Sequence, residues 1–285
     1  MSTIKVALLL TALTGLLVWL GNLFGGTGGM VIALVIAAVM NIGSYWFSDK
    51  IVLAMTRAKP VDEAEAPALY RMVRQLSERA AIPMPRLFVV PDPSPNVFAT
   101  GRSPAHGVVA VNQGLLDILD RDEVEGVVAH EIAHIKHRDT LTMAIVATVA
   151  GAIMVIADIM RFSAFFGFGR DDDEGNPLAM LAMAFVAPIA AMLIQMGVSR
   201  AREYEADRAG AEIAGTGRGL QDALVKLHNG VLREPGHMPA QAAHMCIVNP
   251  FTGLRGLASL FSTHPPVEER IRRLEALERD LHRAA

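Results

Sequence analysis

The sequence begins with a long stretch that carries no charged side chain. From Val6 to Ser48 there is no Asp, Glu, Lys or Arg. A Gly-rich break, GNLFGGTGG, divides the stretch into two apolar segments at about 4–22 and 29–48. Each has about the 20 residues that a helix needs to cross a bilayer. The stretch therefore predicts an N-terminal transmembrane hairpin at residues 1–48.

Two stretches near the middle of the chain also lack charged side chains. They run from Thr140 to Ala157 and from Gly175 to Ser199. The first is rich in Ala, Thr and Gly, and such small residues let helices pack closely in a bilayer. Together they predict a second membrane hairpin at 140–198, with spans at about 140–160 and 177–198. The alternative is a pair of helices buried in a soluble core.

The positive charges around these segments predict their orientation. Lys and Arg near the ends of membrane segments mark the cytoplasmic side. Here they follow the second segment, precede the third and follow the fourth: Lys50, Arg57, Lys59, Lys136, Arg138, Arg200 and Arg202. Residues 49–139 and 199–285 and both termini are therefore expected in the cytoplasm, with the lipid bilayer as a partner. The net charge is −3, so no basic surplus indicates a nucleic-acid partner.

The polar region between the two hairpins has the pattern of a small α/β unit. Apolar residues at helical spacing predict a helix within 61–81. Short β-branched or aromatic runs bounded by Pro and Gly predict strands at 86–90, 96–100 and 107–111. Asp122 is a candidate N-cap for the following helix. The expected fold is mainly α with a small β-sheet, in a four-helix integral membrane protein with a cytoplasmic domain.

The sequence VVAHEIAHIKHRD carries the most specific chemical signal. His130 and His134 stand four apart, so a helix presents both imidazoles on one face, where they can bind one metal ion. A catalytic zinc site has three protein ligands and keeps a fourth position open. Glu131 can accept a proton from the attacking water, as in H-E-x-x-H metalloproteases. The alternative is a polar helix whose charges are solvated.

The third metal ligand is expected on a second helix. His137 lies one turn beyond the histidine pair, so it is expected to be solvated or at the membrane surface. In SRAREYEADRAGAE, Glu203 and Asp207 share one helical face, so one carboxylate can bind zinc while the other orients a histidine. Glu205 is expected to be exposed. The alternative is a charged helix stabilised by Arg–Glu ion pairs. However, the second hairpin would bring this segment back beside the histidine helix.

The chain resembles the HtpX-type membrane zinc metallopeptidases, which are gluzincins related to the CAAX prenyl endopeptidases. The likeness rests on the two N-terminal membrane segments, VVAHEIAHIKHRD, SRAREYEADRAGAE and FSTHPPVEERIRRL, in that order. It implies a cytoplasmic gluzincin-like zinc metalloprotease domain. It also implies a quality-control endopeptidase of the bacterial or archaeal cytoplasmic membrane, which cleaves misfolded or damaged membrane proteins.

The resemblance gives meaning to two weaker signals. PNVFATG is similar to the family's segment ahead of the metal helix, an edge strand in which an extended substrate would pair with Asn96, Val97, Phe98 and Ala99. An ordinary core strand is an equal alternative. His264, in STHPP, is similar to a family position near the site and is a candidate to donate to the oxyanion. The alternative there is a loop histidine ahead of the C-terminal helix.

Together these residues suggest one mechanism, with two rivals. One zinc ion per chain is held by His130, His134 and Glu203, and Glu131 is the general base for peptide hydrolysis. Asp207 orients a histidine from behind. The rivals are a membrane scaffold or chaperone with a structural metal site, and a prenyl-peptide protease that uses the same chemistry.

Overall fold

The computed structural model describes residues 2–142, 145–146, 201–233 and 265–284. Its first elements are α1 Ser2–Met55, β1 Lys59–Pro60, α2 Pro67–Arg79, β2 Arg86–Val90, β3 Val97–Thr100, a 3₁₀ turn Pro104–His106, β4 Val108–Asn112, α3 Gln113–Ile118 and α4 Arg121–His137. A short helical segment at 139–142 precedes α5 at 201–214, α6 Arg218–Arg233 and α7 Val267–Ala284. The described residues are mostly helical with one small mixed sheet, which confirms the predicted mainly α class.

The helical residues of α1 turn back on themselves near the middle of the element. Gly26 has a φ of +54°, a left-handed backbone conformation that glycine adopts readily. Nδ2 of Asn41 donates to Oγ1 of Thr14 at 3.0 Å, although a straight helix would hold residues 27 positions apart at about 40 Å. The two arms of α1 therefore lie side by side, joined at the Gly-rich break.

The second arm of α1 turns a large apolar surface away from the rest of the protein. Among the described residues, Gly26–Phe47 is the one helical stretch long and apolar enough to cross a membrane. Its large exposed side chains include Ile32, Val35 and Val39, which are 58–65% exposed. Contiguous apolar surface of this kind marks an interaction with lipid or protein. That the first arm and residues 140–198 also cross a membrane stays a prediction, and most of 140–198 lies outside the described residues.

A four-stranded sheet lies between the end of α1 and α4, in the order β1-β2-β4-β3. β2 and β4 are parallel, whereas β1 and β3 pair antiparallel with their neighbours. Val97 and Ala99 enter the core that contains α4, and Phe98 points the other way, towards α1. In the part of the chain that the structure describes, β3 is an edge strand next to α4.

The three strands predicted from the sequence are confirmed to within one residue at either end. β2 occupies the predicted positions, β3 begins one residue later, and β4 is displaced by one residue. The helix predicted within 61–81 is also confirmed, as the shorter α2. Pro67 in its first turn explains the later start, because proline is accommodated at the start of a helix.

α4 begins with a capping box, and its N-cap is Asp120. The Asp120 carboxylate accepts hydrogen bonds from the backbone N–H groups of Asp122 and Glu123. In return, the Glu123 carboxylate accepts one from the N–H of Asp120. The predicted cap at Asp122 is therefore wrong by two residues. Asp122 lies within the first turn, where an acidic residue is favoured by the helix dipole.

α4 is the central helix of the fold, and α6 contacts it through glycine residues. A Cβ at Gly126 would lie 2.3 Å from the backbone nitrogen of Leu220. A Cβ at Gly219 would lie 2.2 Å from the backbone oxygen of Asp122. The two backbones therefore touch, and no larger residue fits at either position without separating the helices.

Replacing Gly126 with Ala should push α6 away from α4. Because the atom that a Cβ would meet is backbone, we expect an overpacking cost of about 1–3 kcal/mol in the free energy of unfolding. Thermal unfolding in detergent measures the effect. Gly43→Ala is the matched control, since Gly43 is also helical but a Cβ there meets nothing within 4 Å. An equal loss of stability in both variants would contradict this account of the α4–α6 contact.

Candidate metal centre

His130 and His134 lie on one face of α4, with their Nε2 atoms 3.2 Å apart. α5 brings Glu203 to the same point. One Glu203 oxygen lies 3.7 Å from Nε2 of His130, and the other lies 3.5 Å from Nε2 of His134. His130 and Glu203 are only 1% and 4% exposed. Three donor groups from two helices therefore meet in the protein interior.

The three donors have the spacing that a zinc ion requires. A tetrahedral zinc with bonds of about 2.0–2.2 Å holds neighbouring ligand atoms about 3.3–3.6 Å apart. The two Nε2 atoms lie 3.2 Å apart, and each has a different Glu203 oxygen at 3.5 or 3.7 Å, which is close to this geometry. Among the described residues they form the one converging group of three metal-ligating side chains. The site therefore fits a single divalent ion.

A glycine lets α5 reach the histidine helix. A Cβ at Gly210 would lie 2.9 Å from both the N and the Cα of His130. The backbone of α5 therefore rests directly on the backbone of α4 at the first histidine. Glu203 and Asp207 lie about two turns and one turn before this contact, so it sets how closely their carboxylates approach the imidazoles.

A carboxylate lies behind each histidine. Oδ1 of Asp207 lies 3.0 Å from Nδ1 of His130, which is an ion-pair distance. The two groups are not aligned for a hydrogen bond. Oδ2 of Asp139 is hydrogen-bonded to Nδ1 of His134 at 3.3 Å. A carboxylate at Nδ1 fixes the ring so that Nε2 faces the metal. Asp207 thus lies behind His130, and Asp139 takes the same position at the other histidine.

Asp139 reaches His134 because α4 ends in a left-handed residue. Arg138 has φ +60° and ψ +31°, and its N–H bonds back to the carbonyls of the last helical turn. The chain therefore turns sharply before Asp139. Arg202 of α5 donates to Oδ1 of Asp139 at 2.9 Å. This ion pair joins the end of α4 to the start of α5 directly beside the metal donors.

Glu131 is buried between the metal donors and the sheet. It is 6% exposed. Burial raises the pKa of its carboxyl above the ordinary value, although the imidazoles of His134 and His130 act in the opposite direction. Glu131 therefore lies on the helix that carries both histidines and that packs against the edge strand β3.

The negative charge around the donors favours a cation. Burial acts to lower the pKa of His134, but hydrogen bonds with Asp139 and Glu203 outweigh it and raise the pKa to about 10. Burial also acts to lower the pKa of His130, but Asp207 and Glu203 together raise it. Each imidazole therefore lies in a field that stabilises positive charge. A divalent ion supplies that charge with both imidazoles neutral.

The other residues suggested by the sequence do not join the donor group. Glu205 is exposed, as predicted. His137 is half-buried and lies outside the converging group, which agrees with its rejection as the third ligand. Its Nδ1 atom is enclosed by protein, and whether the rest of the ring faces water or the membrane surface stays a prediction. His264 lies outside the described residues, so its role stays a prediction.

Two charged residues at the site were missed in the sequence, Asp139 and Arg270. Arg270 of α7 is fully buried beneath the carboxylates of α5. A signal for it exists, because it shares the apolar face of α7 with Val267, Ile271 and Leu274. A solvated arginine is not expected on such a face. Asp139 gives no comparable signal, because its position depends on the turn that ends α4.

Comparisons with known proteins agree on one family. The profile of Peptidase family M48 matches residues 63–278. The Protease HtpX homolog of Syntrophobacter fumaroxidans is 51% identical over 97% of this chain and 99% of its own length. The one of Pyrococcus furiosus is 53% identical over 98% and 96%. The fold is similar to that of Ste24p from S. mikatae, with a TM-score of 0.55 and 19% identity over 96% of this chain and 65% of that one.

The fold and the converging histidine and glutamate donors beside a buried glutamate define the class of metalloendopeptidases. The chain belongs to peptidase family M48, because the family profile covers most of it and protease relatives match nearly its whole length. The resemblance to HtpX-type proteases that rested on four sequence stretches is thereby confirmed.

Replacing Asp139 with Asn should weaken metal binding although no metal donor is removed. The amide keeps the shape but loses the charge that faces His134 and Arg202. We expect the affinity for zinc to fall about 10–100-fold, as is usual when a carboxylate behind a metal-binding histidine is lost. Competition with a chromophoric chelator measures it, with Glu205→Gln on the exposed face of α5 as control. Unchanged affinity in Asp139→Asn would show that Asp139 does not position His134.

Proposed function

We propose that this protein is a zinc-dependent endopeptidase of the bacterial or archaeal cytoplasmic membrane that hydrolyses misfolded or damaged membrane proteins. The observation that carries the proposal is the convergence of His130, His134 and Glu203 at ion-binding distances beside buried Glu131. One zinc ion per chain is bound by these three donors. Relatives that bear the name protease over nearly the whole chain support peptide hydrolysis.

Zinc suits this donor set better than other divalent ions. Two imidazoles and one carboxylate are common zinc ligands, whereas magnesium and calcium prefer oxygen ligands. When bound, zinc supplies Lewis acidity, which polarises a carbonyl group and acidifies water. Three protein donors leave one coordination position open, which is the arrangement of catalytic rather than structural zinc.

Glu131 is proposed to move the protons of peptide hydrolysis. Its carboxylate takes a proton from water as the water oxygen attacks the carbonyl carbon of the scissile peptide. The same carboxyl group then delivers that proton to the leaving nitrogen as the C–N bond breaks. Burial keeps bulk water away from the carboxylate between these steps.

The outer edge of β3, on the side away from β4, is proposed to bind the substrate backbone. Asn112 N–H donates to the carbonyl of Asn96 at 2.9 Å, so alternate residues 96, 98 and 100 bond to β4. The N–H and C=O groups of Val97 and Ala99 therefore point away from β4. Because α4, which carries Glu131, packs against β3, an extended peptide paired at this edge would lie near the proposed base.

The edge would recognise a substrate through backbone groups rather than side chains. All four predicted substrate-binding residues are buried, backbone included, so this edge would have to be uncovered before a substrate pairs with it: Asn96, Val97, Phe98 and Ala99. Pairing through backbone hydrogen bonds gives affinity with little sequence preference. Such recognition suits an enzyme that acts on many unfolded chains.

A position at the membrane surface is proposed for the metal centre. Asp139, which contacts one metal histidine, is followed by Leu141 and Ile145. These two side chains pack against both arms of α1, at Leu10 and Tyr45. The donors would therefore lie close to the predicted membrane segments, where membrane-protein chains would arrive. The distribution of Lys and Arg supports the cytoplasmic side.

Two rival functions differ in their expected donors and substrates. A scaffold or chaperone with a structural metal site would need a fourth protein donor, and the converging group in the described part of the chain has three. A prenyl-peptide protease would share the site and differ only in substrate. Hydrolysis of unmodified casein supports the proposal. Hydrolysis confined to prenylated peptides would favour the second rival.

Replacing Glu131 with Gln should abolish peptide hydrolysis while zinc binding remains. The amide cannot accept the proton of water, so we expect the rate to fall about 10²–10⁴-fold. Casein cleavage in detergent and the zinc content per chain are the measurements. Glu125→Gln is the control, because Glu125 lies on the same helix but pairs with Arg79. Cleavage at the wild-type rate by Glu131→Gln would rule out Glu131 as the base.

Replacing Val97 with Pro should weaken substrate binding at the β3 edge. Proline removes the outward N–H without removing a bond to β4. We expect kcat/KM for casein to fall about 2–12-fold relative to Val97→Ala, as for the loss of one backbone hydrogen bond. Val97→Ala is the matched control, since it also shortens the side chain but keeps the N–H. Equal kcat/KM in the two variants would argue against pairing at this edge.

A further inference from the structure

A buried arginine lies directly beneath the metal centre. Arg270 of α7 is 0% exposed. Its Nε donates to Oδ2 of Asp207 at 2.9 Å, and its Nη2 donates to Oδ1 of the same carboxylate at 2.6 Å. Its Nη1 lies 3.6 Å from Oε2 of Glu203. One guanidinium group therefore contacts both the carboxylate among the metal donors and the carboxylate behind His130.

The bidentate geometry fixes the direction of the Asp207 carboxylate. Two parallel N–H···O bonds hold a carboxylate in the plane of a guanidinium group, and a single point charge does not. The Oδ1 atom that accepts from Arg270 is also the atom 3.0 Å from Nδ1 of His130. Rotation of Asp207 would break both contacts. The orientation of the first metal histidine therefore depends on α7.

Arg270 also offsets the repulsion between two negative charges that share one helical face. Glu203 and Asp207 stand four residues apart on α5, and both are at least nine-tenths buried. Like charges at this spacing repel, and burial strengthens the repulsion. A positive group between them offsets that cost and keeps both side chains directed at α4.

The rest of α7 is held against the same helix and the loop that follows it. The guanidinium group of Arg273 lies 3.7 Å from the centre of the Tyr204 ring. Glu278 accepts hydrogen bonds from Oγ1 of Thr216 at 2.9 Å and from the N–H of Gly217 at 2.6 Å. Leu274, between them, is buried in the main core. α7 therefore docks along one face, and Arg270 lies at the end nearest the metal donors.

We propose that α7 is an integral part of the metal centre and that Arg270 is its positioning residue, acting mainly through Asp207. Zinc affinity and the docking of α7 are then thermodynamically coupled, so each strengthens the other by the same factor. The inference rests on the proposed function in one respect only, that a zinc ion occupies the three-donor site.

The first test measures zinc affinity of the whole chain in detergent by chelator competition. Arg270→Lys keeps a positive charge but cannot make both bonds to Asp207, so we expect affinity to fall about 10–100-fold. Arg272→Met is the matched control, since its side chain is 74% exposed and its partner is Glu269 on the surface of α7. Wild-type affinity in Arg270→Lys would overturn the proposal.

A second measurement separates positioning from general stabilisation. Zinc binding raises the Tm by an amount that depends on its affinity for the folded protein. Positioning predicts that this zinc-induced rise is smaller in Arg270→Lys than in wild type. A purely structural arginine would lower the Tm with and without zinc alike. An undiminished zinc-induced rise would therefore also overturn the proposal.

A double variant tests the proposal without leaving an unpaired buried charge, which could prevent folding. Arg270→Met combined with Asp207→Asn removes both members of the ion pair. If Arg270 acts through Asp207, the double variant binds zinc as Asp207→Asn alone does, because nothing remains for the arginine to position. A further affinity loss of tenfold or more in the double variant would contradict that route.

The coupling also has a signature in α7 itself. Zinc should slow amide hydrogen exchange in α7 of the wild type more than in α2, which carries none of the donors. Unchanged exchange in α7 would refute the coupling. Since none of these measurements uses proteolysis, they remain informative if Glu131→Gln disproves the protease mechanism. An absence of coupling between zinc binding and α7 would likewise not contradict the proposed protease mechanism.

Discussion

The burial of several carboxylates in one small volume is the constraint on which the rest of the structure depends. Four of them are less than a tenth exposed: Glu131, Asp139, Glu203 and Asp207. In a low-dielectric interior such charges repel strongly, and each needs a cationic partner. The imidazoles, Arg202 and Arg270 supply part of that compensation, and a divalent ion supplies the remainder. The donor group is therefore stable only when α4, α5 and α7 are docked together.

Close backbone contacts make that docking possible. Gly210 lets α5 rest on α4 at His130, and Gly126 lets α6 rest on the preceding turn. The donors are thus supported on both sides by helices that cannot move apart without losing packing. On the remaining side, α4 packs against the edge strand β3. The proposed metal donors, the proposed general base and the edge strand consequently lie within one compact region, as peptide hydrolysis would require.

The features predictable from the sequence are those that a single helix or strand determines. The pair His130 and His134 and the pair Glu203 and Asp207 are placed by the helical repeat alone. The strands follow from short apolar runs bounded by Pro and Gly. The N-cap was predicted at Asp122 instead of Asp120 because either aspartate, two residues apart, could cap a helix that starts here. Only the direction of the backbone N–H groups shows that Asp120 is the cap.

By itself the sequence determined which residues are the candidate metal donors, the adjacent glutamate, the apolar stretches and the glycine break between the two arms of α1. Each of these follows from residue type and local spacing. Only the tertiary structure decided that Asp139 lies behind His134, that Arg270 lies beneath Asp207, and that β3 is the edge strand packed against α4. These contacts depend on how closely helices approach and on a left-handed turn after α4. Neither the helix–helix distance nor the turn can be read from the residue periodicity of one helix or strand. Both arise from packing between elements distant in the chain.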